Sequence, residues 1–159
     1  MSITVRSARP NDYEAVKALF SQMLTRFAET YPKQYRKEGA EASLKLQTFL
    51  NTLENEEWAF LVATEDDKIL GAVQLSTDKD EDSEYRHPHT YAWIEELIVD
   101  QAANLEDVAT ALLTAAQTWA REKSITTLDF VVYALSPEVL ELCQKHGFTT
   151  VSTRVRQSL

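Results

Sequence analysis

The sequence predicts a mixed α/β (α+β) fold, a mostly antiparallel sheet of about six or seven strands with a central parallel pair, flanked by about four helices. Three features of the chain carry this expectation. Trp58 to Ala63 and Ile69 to Leu75 are apolar, β-rich runs separated by Glu65-Asp-Asp-Lys68, which is the pattern of an antiparallel hairpin. Tyr91 to Val99, a helical stripe and Leu128 to Tyr133 follow one another with short connections, which implies a right-handed parallel crossover. Finally, 159 residues with 44% apolar content support one core and are too few for two, so residues 1–159 are expected to form a single domain.

The elements follow from local chemistry. Ile3 to Arg6 alternates apolar and polar residues as a short strand does, and Arg9-Pro10 closes it. Asn11 with Glu14 forms a capping-box-like start, after which Val16, Leu19, Phe20, Met23, Leu24 and Phe27 recur at helical spacing. Tyr31-Pro32-Lys-Gln-Tyr35 ends that helix, because proline lacks a donor and biases its predecessor away from helical angles. Leu46, Phe49, Leu50 and Leu53 make a second amphipathic helix. The acidic stretch Asp78 to Glu84 reads as a solvated loop, and His87 and His89, bracketing a proline, lack the spacing of metal ligands. A helix opens at Asn104 and carries Val108, Ala109, Leu112, Leu113, Ala116, Trp119 and Ala120 on one stripe. Ser136-Pro137 starts another, which bears Val139, Leu140 and Cys143 and stops at His146-Gly147. Phe148, Val151, Thr153 and Val155 outline a last strand.

Composition narrows the function. A net charge of −9 and a pI near 4.8, without Lys/Arg clusters, exclude a nucleic-acid partner and favour cationic ligands. Cys143 is the only cysteine, so neither a disulfide nor a cysteine-based zinc cluster is available. No charged-then-apolar leader and no apolar run approaching ~20 residues is present, so a cytoplasmic protein without a membrane partner is expected.

Leu97-Ile-Val-Asp100 followed by Val108-Ala109 and Leu112-Leu113, the phrase Asp67-Lys-Ile-Leu-Gly71, and Lys145-His-Gly-Phe148 after an apolar helix together resemble the GNAT acetyltransferase superfamily. The resemblance implies acetyl-CoA as cofactor and an amine of a small cationic molecule or a peptide as acceptor, and leaves a homodimer open. It places the pantetheine arm on the backbone of Leu97, Ile98 and Val99. The diphosphate falls on the helix start at Asn104, Leu105, Asp107, Val108 and Ala109, with Ser136 standing where the family usually has Asn. Tyr31 and Tyr35 fall in the segment that borders the acceptor. The family's phosphate pattern is Arg or Gln, two residues, Gly, one residue, then Gly or Ala, and only Ala109 matches it here. Asn104 and Asp107 are instead placed to cap the helix themselves, occupying donors that a phosphate would use. Cys143 stands where the family commonly has the tyrosine that acts as general acid.

Three residues are candidates for proton transfer. Glu95 and Glu96 lie within an apolar strand, where an unpaired carboxylate is driven toward a raised pKa suited to a base. Strand alternation puts one of the two in a cleft unless a bulge intervenes. Cys143 could donate a proton as a weak acid, or sit as an inert buried thiol. Two functions follow: a divergent N-acetyltransferase, and a catalytically inactive binding or dimerisation module that keeps the fold.

Overall fold

The computed structural model describes residues 2–159 and contains one five-stranded sheet in the order β1-β2-β3-β4-β5. The strands are β1 (Thr4–Ser7), β2 (Trp58–Glu65), β3 (Lys68–Asp80), β4 (His89–Val99) and β5 (Leu128–Phe130). The helices are α1 (Tyr13–Thr30), α2 (Leu46–Glu54), α3 (Leu105–Glu122) and α4 (Pro137–Lys145). Neighbours from β1 to β4 are antiparallel, and β4 pairs β5 in parallel, so the hairpin and the crossover both form as the sequence predicts. Asp66 and Asp67 turn the β2–β3 hairpin with positive φ angles of 47° and 64°, the conformation that short carboxamide and carboxylate side chains tolerate. Among the described residues no helix is long and apolar enough to cross a membrane.

Each sheet face buries its own helices. Phe60, Val62, Ala72 and Ile98 pack against Val16, Leu19 and Phe20 of α1 and Phe49 of α2. Leu61, Ala63, Val73, Leu75 and Ile94 pack against Val108, Ala109, Leu112, Leu113 and Ala116 of α3 and Val139, Leu142 and Cys143 of α4. Period-2 alternation along β2 and β3 thus supplies two cores from one sheet. At Gly71 the α3 core is tightest, because a Cβ there would lie 2.8 Å from the Ile98 carbonyl oxygen and 2.8 Å from Val108 Cγ1. Glycine lets α3 sit directly on β3.

Three expectations are corrected. The first helix is not capped by Asn11 and Glu14; a 3-10 turn at Pro10–Asp12 precedes it, and the Asp12 carboxylate accepts the Arg9 N–H at 2.7 Å while binding Arg6 at 2.7 and 3.0 Å. That bidentate pair holds the Asp12 carboxyl below its ordinary range. The stretch from Asp78 is not all loop, because β3 runs to Asp80 and pairs Asp78 with Tyr91 and Asp80 with His89 before Arg86 bridges Asp80 at 3.2 Å. The last strand does not form, which reduces the expected six or seven strands to five. Phe148 packs on the α3 core, but Val151 and Val155 are 84% and 87% exposed, and Arg156 donates to Gln34 Oε1 at 2.8 Å, drawing the segment toward the 31–35 turn.

Gly71→Ala should cost roughly 1–3 kcal/mol, the range for overpacking a filled core, read as a lower denaturant midpoint at unchanged slope. Gly39, around which a Cβ would meet nothing within 4 Å, is the control, and Gly39→Ala should leave the midpoint nearly unchanged.

Candidate active site

The site begins where two parallel strands part. β5 pairs with β4 only at Ala92–Leu128, Trp93–Asp129 and Ile94–Phe130. Beyond Ile94, β4 continues to Val99 with only β3 beside it, so backbone groups on its other edge face open space. The wedge between the strands is an open cleft of about 100 Å³. Glu96 to Val99 form one wall and Phe130 to Tyr133 the other, with Met23, Arg26 and Phe27 of α1 across it and Leu105 and Ser136 at its ends.

A β-bulge sets the chemistry of the wall. β3 and β4 are in register with Gln74 opposite Glu96 and Leu75 opposite Ile94, which leaves Glu95 as one extra residue. The parity of β4 therefore reverses: Ile94 lies in the α3 core, yet Ile98 lies in the α1 core. Both glutamates consequently line the same depression, the exception a bulge was expected to make, while Glu96 alone of the two also lines the wedge. Glu95 is exposed and accepts a hydrogen bond from the buried Ser76 hydroxyl. Glu96 has no hydrogen-bond or ion-pair partner among the described residues, and burial, followed by the charge of Glu95, pushes its carboxyl up to about 7.

Glu96 also joins two spaces. Across it from the wedge lies a trough lined by Trp58, Ser76, Asp78, Trp93 and Glu95, and the wedge and trough share Glu96, Val131 and Tyr133. Tyr133 stands edge-on to Phe27 with ring centroids 4.9 Å apart at 85°. Burial, then Tyr35 and Glu96, raises its hydroxyl above the usual tyrosine range, so it holds its proton. Tyr31 and Tyr35 line neither space; their rings lie 6.4 and 5.1 Å from Phe27 and back the aromatic wall. Cys143 also lies outside both spaces, 2% exposed in the α3–α4 core, where burial raises its thiol to about 11. The thiol therefore borders neither the wedge nor the trough.

The start of α3 satisfies one of its own donors. Asn104 Oδ1 accepts the Asp107 N–H at 3.1 Å, as the sequence predicts for the cap, although the Asp107 carboxylate makes no return bond. In the connection before it, Gln101 N–H donates to Gln22 Oε1 at 3.2 Å, Ala102 N–H to Asp100 Oδ1 at 2.8 Å and Ala103 N–H to the Asp100 carbonyl at 2.9 Å. Glu106 is on the surface, paired with Lys145 at 3.1 Å. Of the residues the sequence assigned to a cofactor, Leu97, Ile98, Val99, Leu105 and Ser136 line the wedge. Asn104 and Asp107 do not, and Val108 and Ala109 are fully buried in the α3 core. The wedge thus presents the free backbone edge of β4, while the connection before α3 pairs the amides of residues 101–103 within the protein and Lys145 pairs Glu106.

Sequence reasoning missed Tyr133, Arg26, Trp58, Trp93 and Asp78 as site residues. Trp58 and Trp93 carried a readable signal, since each stands at a strand position opposite Ser76 and two large aromatics flanking a small residue leave a hollow. Arg26 and Tyr133 carried none; only the packing of α1 against the end of β5 brings them to the wedge.

Comparison with known proteins gives the class. Residues 20–148 match the model of the acetyltransferase (GNAT) family, and the chain belongs to that family. No curated protein matches it. Among solved structures, a point mutant of the BH1408 protein from Bacillus halodurans superposes with a TM-score of 0.90 at 16% identity, over 98% of this chain and 99% of that one. A predicted acetyltransferase from Clostridium acetobutylicum, solved with acetyl-CoA, gives 0.71 at 15% identity, over 99% and 96%. AAC(6')-Iy in complex with the bisubstrate analogue CoA-S-monomethyl-acetylneamine gives 0.72 at 15% identity, over 100% and 99%.

Glu96 also makes stability depend on pH. Its folded value of about 7 lies above the ordinary 4.5, so the folded state holds the proton longer than the unfolded chain does. This contribution to stability is full below pH ~4.5 and is lost as pH rises toward about 7. Melting of Glu96→Gln across that window should lack this decline, making the variant more stable than wild type above pH 7.

Proposed function

We propose that the protein is an N-acetyltransferase that moves an acetyl group from acetyl-CoA to an amine of a small cationic molecule or a peptide. The supporting observation is Glu96, a partner-free carboxyl with a pKa near 7 at the junction of the wedge and the trough. Acetyl-CoA bound in the wedge would supply the acyl group as a thioester, as the family and its acetyl-CoA-bound fold relative suggest. Glu96 accepts the proton of the acceptor's ammonium, leaving a nitrogen lone pair to form the new N–C bond. Tyr133, still protonated, donates to the sulfur as the C–S bond breaks. Arg26 is the cation of the wedge, and Glu95, held by Ser76, keeps the acceptor's charge beside Glu96.

Acetyl transfer to a primary amine, followed as thiol release, should rise with pH through about 7. Glu96→Gln should lose on the order of 10²-fold in rate, the low end for a general base, and Tyr133→Phe should lose less. A pH-independent rate, or a Glu96→Gln enzyme of wild-type speed, would overturn the base assignment.

The self-capped start of α3 favours a second reading, a binding module that no longer takes CoA. Asn104→Arg with Leu105→Gly and Asp107→Gly frees donors, adds a cation and removes a charge. One recovered charge-assisted bond should tighten CoA about tenfold by calorimetry, while the two glycines lower the ligand-free melting point. If wild type already binds CoA tightly and the triple variant gains nothing, the loop is no obstacle and this second reading falls.

A further inference from the structure

The trough extends well past the reacting position. On the α1 face of the β3–β4 ribbon, Gln74 pairs with Glu96, Ser76 with Trp93 and Asp78 with Tyr91, while Trp58 reaches Ser76 from β2. Four residues of strand separate Gln74 from Asp78, a distance of roughly 13–14 Å at the strand rise. Along that line stand three carboxylates, Glu96, Glu95 and Asp78, none with an ion-pair partner among the described residues. By contrast Asp80, one step further out, is neutralised by Arg86 at 3.2 Å, and Lys79 alternates onto the opposite face. The two inner acceptors are held in position: Ser76 donates to Glu95, and the Tyr91 hydroxyl donates to Asp78 Oδ2 at 3.3 Å. Trp58 and Trp93 flank the buried Ser76, offering apolar faces between the charged positions. An aromatic face attracts an alkylammonium and covers methylenes equally well.

We infer that the acceptor is a linear aliphatic polyamine, with its reacting amine at Glu96, its methylenes against Trp58 and Trp93, and a distal ammonium at Asp78. This rests on the acyl-transfer reading and narrows its substrate to chains with two or more separated ammonium groups. A trough that runs along two strands matches an extended chain better than a compact one. A single amine at Glu96 and Glu95 leaves Asp78, further along the strands, without a cation.

The test uses the full chain without any acyl donor, titrated with spermidine and with butylamine and followed by tryptophan fluorescence and calorimetry. Spermidine should bind about tenfold tighter or more, since an added exposed ion pair and a cation–π contact together contribute a factor of that order. Asp78→Asn with Glu95→Gln should abolish the preference, and Trp93→Leu should reduce it, with unchanged circular dichroism showing that the fold is kept. Equal affinity for the two amines, or a preference that survives in the double variant, would overturn the inference. Acetylation distinguishes it from the reading beneath it. Equal kcat/KM for butylamine and spermidine removes the polyamine assignment and leaves acyl transfer standing. Preferential spermidine binding with no acetylation of any amine supports the trough and removes acyl transfer.

Discussion

One additional residue in β4 is the constraint on which the site depends. Without the bulge at Glu95, strict alternation would send Glu95 and Glu96 to opposite faces, and one carboxylate would enter the core beside Leu75 and Val73, where burial without a partner costs several kcal/mol. With it, both carboxylates share one face, the charge of Glu95 raising the cost of ionising Glu96, while Leu97 and Ile98 still return to their proper cores. The bulge also falls where β5 loses contact with β4, so the same few residues open the wedge and charge its wall. A raised pKa and a place to use it therefore arise from a single departure from strand geometry.

The two ends of the wedge obey opposite electrostatics. At Glu96 the protein leaves carboxylates unpaired beside aromatic rings, which suits a cation that will give up a proton. At the start of α3 it satisfies amides with Gln22, Asp100 and Asn104 and places Glu106 and Asp107 in the first turn, where their charge complements the helix macrodipole. The Glu96 end carries carboxylates without ion-pair partners among the described residues, and the α3 end pairs part of its backbone within the protein. Arg26, on a different element, is the positive group that remains to the wedge.

The fold was largely legible because its signals are local and redundant. Hydrophobic alternation in Trp58 to Leu75, the helical stripe from Val108 to Ala120 and the terminating Gly147 at φ +87° each specify an element without reference to the rest of the chain. The errors lie where a distant partner decides. The first helix starts after a 3-10 turn rather than at Asn11 because the Arg6 guanidinium and the Arg9 N–H converge on the Asp12 carboxylate, and Asp78 joins a strand because Tyr91 is opposite. Residues 149–159 have strand-like composition, but pairing needs an accepting edge in register, which no local pattern encodes. The site was half legible for the same reason. Glu95 and Glu96 were conspicuous as charges in an apolar run, but their shared face depends on the bulge, and Tyr133 enters through the packing of Phe27.

Gly71 separates what can change in this protein from what cannot. Val108 and the Ile98 carbonyl close on it from two sides, so the axis of α3 is fixed by contact with a backbone that has no side chain to yield. The exposed residues just before that contact, including Asn104 and Glu106, bear on no such packing. Substitution at the exposed tip of α3 can therefore reshape that turn while the helix behind it stays fixed.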